Sequence, residues 1–231
     1  MIRGAPRPVK PRRVNGLTSA HQIGIFQRAP RLFLPRCLLC DEAGEAPGVC
    51  HTCVAVLQRP TASCLEPGLP VIAAFTYRFP VDHLVHRFKF SADMGCGRWL
   101  ASALAAVARE HPLPDVLLPA PSSARRLRER GFDTALLLAR WMGERIRCPV
   151  EHNALVKRRH TPPQTSLARH DRERNLTGAF TCARSLEGLR VAVVDDVVTT
   201  GATHRALAAC ARGAGALEVV AWAVAMTPAP G

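Results

Sequence analysis

The sequence predicts an α/β fold in which a parallel β-sheet is covered by helices on both faces, with a small cysteine-rich module before it. Between residues 71 and 226, short apolar runs typical of buried strands alternate with helical patterns, as in parallel sheets. Residues 37–70 are instead rich in Cys, Pro and Gly and have little apolar periodicity. Together these features divide the chain into a basic tail over 1–31, the module over 32–70 and the α/β domain over 71–231.

The helices and strands of the α/β domain can be placed from their patterns. Apolar residues that recur on one side indicate helices, and short continuous apolar runs indicate buried strands. Asp133 stands immediately before one helical segment, where its side chain suits an N-cap. The sequence therefore predicts helices over residues 97–110, 133–147 and 203–213, and strands over residues 71–77, 115–121, 152–157, 178–182, 189–196 and 216–226.

The formal net charge of +13 is unevenly distributed along the chain. Residues 1–36 carry eight Arg and Lys residues and no acidic residue, which leaves +5 for the remainder. A basic arm of this kind suits nucleic acid or phosphorylated ligands. Because a Pro- and Arg-rich segment has little apolar surface with which to order itself, we favour the alternative that residues 1–31 form a solvated, disordered tail.

The sequence shows neither the pattern of a secretory signal nor that of a membrane span. No run of about 18 apolar residues occurs, and no apolar core of suitable length follows the charged N-terminus. The nine cysteines, an odd number without an export signal, favour reduced thiols and metal binding over disulfides. We therefore expect a cytoplasmic protein.

Two Cys-x-x-Cys pairs, separated by nine residues, lie in the cysteine-rich module. Each pair can present two thiolates to one ion, and four thiolates complete the tetrahedral site that structural zinc prefers. A short Pro- and Gly-rich segment also needs such a staple to hold a core. The sequence therefore predicts one structural zinc ion bound by Cys37, Cys40, Cys50 and Cys53. His51 and Cys64 are alternatives for one of these ligands.

The segment VAVVDDVVTTGAT, residues 191–203, combines two acids with a loop suited to an anion. Asp195 and Asp196 end an apolar strand, so we expect them at the carboxyl edge of the sheet, where parallel α/β folds bind ligands. The hydroxyl-rich loop that follows begins a helix, and Gly201 lets the backbone approach a phosphate closely. Carboxylates repel phosphate but accept hydrogen bonds from ribose hydroxyls. The segment therefore favours a site for ribose 5-phosphate over a site in which two acids at the end of a strand hold only Mg²⁺.

The same segment resembles the motif by which type I phosphoribosyltransferases bind 5-phosphoribosyl 1-pyrophosphate (PRPP): four apolar residues, two acids and Thr-Thr-Gly-x-Thr. The chain also resembles the ComF family of competence-associated proteins through its Cys-rich start, through LLPAPSSARRLRERGFDTA and through KRRHTPPQTSLARHDRERNLTGAF. This resemblance runs from about Leu32 to Met226. It implies a type I phosphoribosyltransferase-like sheet with a zinc-ribbon-like module of four cysteines. It further implies that Mg²⁺ and PRPP bind together, with PRPP contacting Asp195, Asp196, Val198, Thr199, Thr200, Gly201, Ala202 and Thr203.

Residues around this motif are candidates for contacting the pyrophosphate of PRPP. By position, Ala120, Pro121 and Ser122 correspond to the pyrophosphate loop of type I enzymes. Residues 157–175 lie where such enzymes carry a mobile basic loop; as an alternative, this basic segment binds a nucleic acid backbone. Arginine suits pyrophosphate because its guanidinium binds oxyanions in a bidentate manner. The basic candidates are Lys89, Arg126, Arg130, Arg158 and Arg159.

Two functions follow from the motifs and the resemblance. In the first, the chain is an enzyme of the phosphoribosyltransferase type, in which a nitrogenous acceptor attacks the anomeric carbon of Mg-PRPP. In the second, the same pocket senses PRPP or a nucleotide without turnover, while the zinc module and basic segments bind DNA. The enzyme is the leading prediction. The sequence shows no identifiable catalytic acid or base, and this absence favours the sensor without turnover. The acceptor base and the oligomeric state are left open.

Overall fold

The computed structural model describes residues 34–44, 47–61, 64–158 and 179–228. The helices are α1 (His51–Ala55), α2 (Val81–Ser91), α3 (Met94–Ala108), α4 (Ala124–Arg130), α5 (Thr134–Ile146) and α6 (Ala202–Gly213). The strands are β1 (Cys64–Glu66), β2 (Leu69–Thr76), β3 (Val116–Pro119), β4 (Leu155–Lys157), β5 (Phe180–Cys182), β6 (Arg190–Val198) and β7 (Glu218–Met226). None of the described helices has the length and apolar character needed to cross a membrane. The tail predicted for residues 1–31 lies outside the described residues, as does most of the basic segment 157–175.

The centre of the fold is a five-stranded sheet in the order β1-β2-β7-β6-β3. Strands β2, β7, β6 and β3 run parallel, with Val194 opposite Trp222 and Leu117 opposite Ala192. Strands β6 and β7 are buried along most of their length, as expected for a parallel sheet covered on both faces. The predicted α/β class is therefore confirmed. In addition, β1 pairs antiparallel with β2 at one edge, a pairing that the sequence does not indicate.

Helices cover both faces of this sheet. Helices α2, α3 and α5 pack on one face, and α6 packs on the other. The first face forms one buried apolar cluster that includes Leu84, Leu104, Leu138 and Trp222. The predicted N-cap is confirmed, because the side chain of Asp133 accepts a hydrogen bond from the N–H of Leu136 at 3.1 Å. Helix α5 therefore begins at Thr134.

Two of the predicted strands do not join the parallel sheet. The segments around residues 155 and 180 form a separate antiparallel ribbon, in which β4 pairs with β5 and Leu155 lies opposite Cys182. Each of these strands has one buried residue, Leu155 in β4 and Phe180 in β5. Burial on one face suits an antiparallel ribbon, whereas a central parallel strand is buried on both faces. These strands therefore depart from the parallel sheet that the alternating pattern predicts.

The cysteine-rich segment packs directly against α2 and α3. Arg87 of α2 donates hydrogen bonds to the backbone carbonyl of Leu38 and to the carboxylate of Asp93. Asp93 in turn caps the N-terminus of α3. Gly48 lies so close to Trp99 of α3 that an added Cβ would be 2.5 Å from the indole ring. The segment is therefore positioned by side chains of the α/β domain.

Candidate functional site

The carboxyl edge of the sheet brings the acid pair beside two loops. Strands β3 and β6 are neighbours, and the N–H of Ala120, just after β3, donates to the carbonyl of Val194 at 2.8 Å. The loop at residues 120–122 therefore lies next to Asp195, and the loop at residues 199–203 follows β6 at the same edge. This is the edge at which parallel α/β sheets bind ligands.

Asp196 is held by two helices. Lys89 Nζ of α2 lies 2.7 Å from Asp196 Oδ1, and Thr134 Oγ1 of α5 donates to Asp196 Oδ2 at 3.0 Å. Because Asp196 is only 9% exposed, the ion pair with Lys89 compensates a charge that is costly to bury alone. Lys89, a candidate ligand contact from the sequence, is thus brought to the acid pair. The sequence does not indicate Thr134, because only the packing of α5 places its hydroxyl there.

Asp195 lies beside this ion pair in a different electrostatic environment. Its Oδ1 accepts a hydrogen bond from the N–H of Asp196 at 2.8 Å. Burial, and then the negative charge of Asp196, raise the pKa of Asp195 to about 7, although Lys89 and Arg126 act in the opposite direction. Asp195 therefore holds a proton more readily than an ordinary carboxyl group, and the pair can both accept and donate hydrogen bonds.

We expect Asp195→Asn to flatten the pH dependence of stability between the ordinary pKa of an aspartate and about 7. In this window the folded wild type binds more protons than the unfolded chain, so its free energy of unfolding falls as the pH rises. Denaturation curves at several pH values measure the slope. Asp115→Asn is the control, because hydrogen bonds from Arg190 lower the pKa of Asp115 and its contribution is lost only at lower pH. An unchanged slope in Asp195→Asn contradicts the raised pKa.

The loop after β6 forms the turn into α6. Val198 is buried at the end of β6, and Gly201 has a left-handed backbone, with φ of +74°, before Ala202 begins the helix. Exposed hydroxyl side chains flank this turn at Thr199, Thr200 and Thr203. The first N–H groups of a helix have no partner within it, and together with these hydroxyls they suit a phosphate.

Residues of β1 and α6 contact this loop. Arg205 Nη1 donates to the carbonyl of Thr200 at 3.1 Å, and Arg205 Nε lies 3.9 Å from a carboxylate oxygen of Glu66. Leu65 packs against Gly201, where an added Cβ would lie 2.8 Å from Leu65 Cδ2. The sequence does not indicate Leu65 or Glu66, because β1 is far from the loop along the chain and only the folded sheet brings them together.

Arg126 of α4 acts electrostatically both on Asp195 and on Lys157 of β4. Ser123 caps α4 by accepting the N–H of Arg126 at 3.3 Å, so Arg126 stands in the first turn after the loop at residues 120–122. Burial, and then the positive charge of Arg126, lower the pKa of Lys157 at the end of β4. The positive charge of Arg126 also acts to lower the pKa of Asp195, against the effects of burial and of Asp196. The fold thus brings a cation of α4 towards the acid pair and a cation of β4 towards the guanidinium of Arg126.

The other basic candidates are placed differently. Arg130, the last residue of α4, lies over the ring of Phe90, with its Cζ 5.0 Å from the ring centroid. Arg158 has an exposed side chain, and its N–H extends the β4–β5 ribbon by donating to the carbonyl of Ala179 at 2.8 Å. Arg159 lies outside the described residues. Arg130 is thus engaged with an aromatic ring of α2.

The four predicted metal ligands converge. The Sγ atoms of the two Cys-x-x-Cys pairs lie within 4.8 Å of one another, so the cluster could hold a metal ion. Cys37 Sγ accepts hydrogen bonds from two backbone N–H groups, at 3.4 and 3.3 Å. Cys40 Sγ and Cys50 Sγ are 3.8 Å apart, which matches tetrahedral zinc with Zn–S distances of about 2.3 Å. In the described part of the chain, neither His51 nor Cys64 belongs to this cluster.

The chain is similar to proteins named for competence and for DNA utilization. Competence protein F of Haemophilus influenzae is 30% identical over 204 residues, a match that covers 82% of this chain and 89% of that protein. The chain belongs to the ComF family. DNA utilization protein YhgH of Escherichia coli K12 is also 30% identical, over 82% of the ComF-family chain and 84% of the relative. Competence protein ComFC of Bacillus subtilis is 29% identical, in a match that covers 75% of this chain and 70% of that protein.

Similar solved structures cover just over half of this chain. No protein-family model matches the chain. A structure of glutamine PRPP amidotransferase from B. subtilis, complexed with ADP and GMP, superposes with a TM-score of 0.39 and 26% identity; the match covers 55% of this chain and 26% of that one. A purine phosphoribosyltransferase from Pyrococcus horikoshii gives a TM-score of 0.34 and 20% identity, and the match covers 53% of this chain and 67% of that one. The α/β description of this ComF-family chain therefore rests on its own sheet order and helix packing.

Proposed function

We propose that this ComF-family protein binds ligands that contain ribose 5-phosphate, and that it transfers the 5-phosphoribosyl group of Mg-PRPP to an acceptor nitrogen with release of pyrophosphate, in the manner of a phosphoribosyltransferase. The observation that supports this most directly is the position of Asp195 and Asp196 next to a helix N-terminal loop at the carboxyl edge of a parallel sheet. Such a loop suits a phosphate, and the adjacent carboxyl groups suit sugar hydroxyls. The two features together match the two ends of a ribose 5-phosphate.

In the proposed complex, each part of PRPP meets a different group of residues. The 5-phosphate binds the loop over residues 198–203. The 2′- and 3′-hydroxyls of the ribose contact the acid pair. Asp196 retains capacity for this after its contacts with Lys89 and Thr134, because a carboxylate has about four acceptor sites. The pyrophosphate binds the loop at residues 120–122 together with Arg126 and Lys157.

The chemistry proposed for this site depends mainly on positioning and charge. Bound Mg²⁺ would supply positive charge to the pyrophosphate as it leaves. The loop and the acid pair hold the ribose, so that the nitrogen of an acceptor can reach the anomeric carbon. Arg126 and Lys157 stabilise the negative charge that collects on the departing pyrophosphate.

We also propose that the cysteine cluster holds one structural zinc ion. A set of four thiolates occupies every position of a tetrahedral ion and leaves none open for substrate, so such an ion would act as a staple. The spacing of the four Sγ atoms supports this assignment. Since Arg87 binds the carbonyl of Leu38, next to Cys37, the zinc-bound segment would be tied directly to α2.

Calorimetric titration of PRPP with Mg²⁺ tests the proposed ligand. We expect the wild type to bind, and the variant Asp195→Asn/Asp196→Asn to bind at least about 100-fold more weakly, because amides replace both carboxyl groups that contact the ribose hydroxyls and half of each amide can only donate hydrogen bonds. Asp115→Asn, which removes an acid at the amino edge of the sheet, is expected to bind like the wild type. A wild type that does not bind, or a double variant that binds equally, excludes the site. Pyrophosphate release on addition of purine and pyrimidine bases then tests turnover.

We expect Gly201→Ala to weaken the binding of Mg-PRPP by at least about tenfold. The left-handed backbone at this position is strained for alanine, and the added Cβ would press on Leu65, so the turn must shift. Gly188→Ala is the matched control, because Gly188 has a similar φ of +71° and no atom within 4 Å of an added Cβ. Both variants should lose stability in denaturation, Gly201→Ala the more because of the contact with Leu65, whereas only Gly201→Ala should lose affinity. Equal affinities in the two variants contradict the role of the loop.

A second candidate function is a non-catalytic sensor of PRPP or a nucleotide that binds DNA through its cysteine module and basic segments. The names of the relatives, competence and DNA utilization, support it, and the net charge of +13 supplies an electrostatic basis. Fluorescence anisotropy of a labelled single-stranded oligonucleotide, measured over a range of salt concentrations, tests DNA binding. Affinity that falls steeply with salt supports it, and no binding at low salt excludes it. Pyrophosphate release with any base excludes the non-catalytic version.

A further inference from the structure

Three planar side chains, His86, Phe90 and Arg130, form a stack at the end of α2 in which the two rings are exposed and Arg130 is half-buried. The rings of His86 and Phe90 are one helical turn apart, with centroids separated by 4.6 Å and planes inclined at 40°. From α4, Arg130 places its guanidinium carbon 5.0 Å from the centroid of Phe90. Phe90 nevertheless stays 63% exposed. The stack is therefore built by two separate elements, and it leaves most of its aromatic surface open to solvent.

The stack shares its two helices with residues that act on the acid pair. The residue before Phe90 is Lys89, whose Nζ reaches Asp196 at 2.7 Å. On α4, Arg130 follows one turn after Arg126, the guanidinium whose charge acts on Asp195. Each element that contributes to the stack thus also contributes a cation to the proposed sugar-phosphate site. The helices that form the stack are thus the same helices that bring Lys89 and Arg126 to the acid pair.

Packing alone does not explain an aromatic residue at position 90. Phe88 of the same helix is 1% exposed and belongs to the core, whereas Phe90 buries little of its ring and contributes correspondingly little to stability. Exposed rings beside a guanidinium are instead the groups on which nucleobases stack. His86 and Arg130 also carry N–H donors, which can bond to the ring nitrogens and carbonyl oxygens of a base.

We propose that the stack of His86, Phe90 and Arg130 binds the planar nitrogen heterocycle of a nucleobase, either as the acceptor or as the base of a bound nucleotide. This inference rests on the proposed function, because the ribose held by the acid pair determines where an attached or attacking base lies. It assigns the base to the exposed end of α2 and the sugar phosphate to the loop after β6. The two parts of the ligand therefore have separable binding determinants.

Paired titrations with ribose 5-phosphate and with the monophosphates AMP, GMP, CMP and UMP test this assignment. We expect at least one monophosphate to bind the wild type about tenfold more tightly than ribose 5-phosphate, a typical contribution of one stacked base. Phe90→Leu is expected to abolish this preference and to leave the affinity for ribose 5-phosphate unchanged. Phe79→Leu is the matched control, because Phe79 precedes the same helix and is 83% exposed. It is expected to keep the preference.

The outcomes separate this inference from the proposed function. If the wild type binds neither ribose 5-phosphate nor any monophosphate, both are overturned. If ribose 5-phosphate binds as tightly as every monophosphate, the base site is overturned and the sugar-phosphate site stands. A preference that survives in Phe90→Leu, or that Phe79→Leu removes equally, also overturns the base site. Thermal denaturation of both variants, which should unfold like the wild type because both rings are largely exposed, shows that a loss of preference is not a loss of fold.

Discussion

Lys89→Met is expected to lower the free energy of unfolding by about 3 kcal/mol near neutral pH, because it leaves the buried carboxylate of Asp196 without its cation. Asp195 lies next in the chain, so two carboxyl groups would then share one partly desolvated site. Methionine keeps the apolar stem of the side chain, and the loss therefore reports the charge. Urea denaturation at fixed pH measures the change, and the same variant is expected to weaken binding of Mg-PRPP by disturbing the acid pair.

A double-mutant cycle shows whether this loss belongs to the ion pair. Lys89→Met/Asp196→Asn is expected to recover much of the stability, because a neutral amide needs no counter-charge. Arg125→Met is the matched control: Arg125 pairs with Glu129 at 3.5 Å on the exposed surface of α4, and its removal should cost less than about 0.5 kcal/mol. Asp196→Asn alone completes the cycle; if the losses of the two single variants add up to the loss of the double variant, the two side chains are not energetically coupled.

Cys40→Ser is expected to release the proposed zinc ion and to lower the free energy of unfolding by about 4 kcal/mol, the contribution of a ligand present at about a thousand times its dissociation constant. Serine is a poor zinc ligand, and the three remaining thiols cannot complete a tetrahedral site. Zinc content by atomic absorption and thermal denaturation with and without a chelator measure the two effects. In the wild type, the chelator is expected to reproduce the destabilisation.

Cys64→Ser provides the matched control for the zinc site. Cys40 and Cys64 are both exposed cysteines of the N-terminal part of the chain, but only Cys40 belongs to the cluster of four. Cys64 instead contacts the backbone carbonyls of Glu66 and Leu69. The Cys64 variant is therefore expected to keep its zinc and its stability. Equal loss of zinc in both variants would show that the cluster is not the metal site.

Several parts of the fold were predictable because their signals are local. The apolar runs of β6 and β7 indicate buried parallel strands, and the structure places these strands side by side. Asp133 is recognisable as an N-cap because it stands directly before an apolar helical pattern. The spacing of the two Cys-x-x-Cys pairs indicates a four-thiol cluster, and the four Sγ atoms do converge. In each case, the residues that carry the signal are close together in the chain.

Other parts were not predictable from local pattern. The short strands β4 and β5 look like members of an alternating α/β series, but they pair with each other outside the main sheet. Whether a short apolar run joins a sheet depends on which sheet edges the other strands leave unpaired, and the run itself does not contain that information. The same holds for β1, whose residues Leu65 and Glu66 meet the loop after β6 only because the chain folds back along β2.

The sequence by itself determined the class of fold, the four clustered cysteines, and the acid pair followed by a loop suited to phosphate. These follow from periodicity, spacing and side-chain chemistry within short segments. Only the tertiary structure decided that Lys89 and Thr134 hold Asp196, and that Arg130 of α4 lies over the exposed ring of Phe90. Such contacts join helices and strands that are distant in the chain. They depend on strand order and helix packing, which are properties of the folded core as a whole.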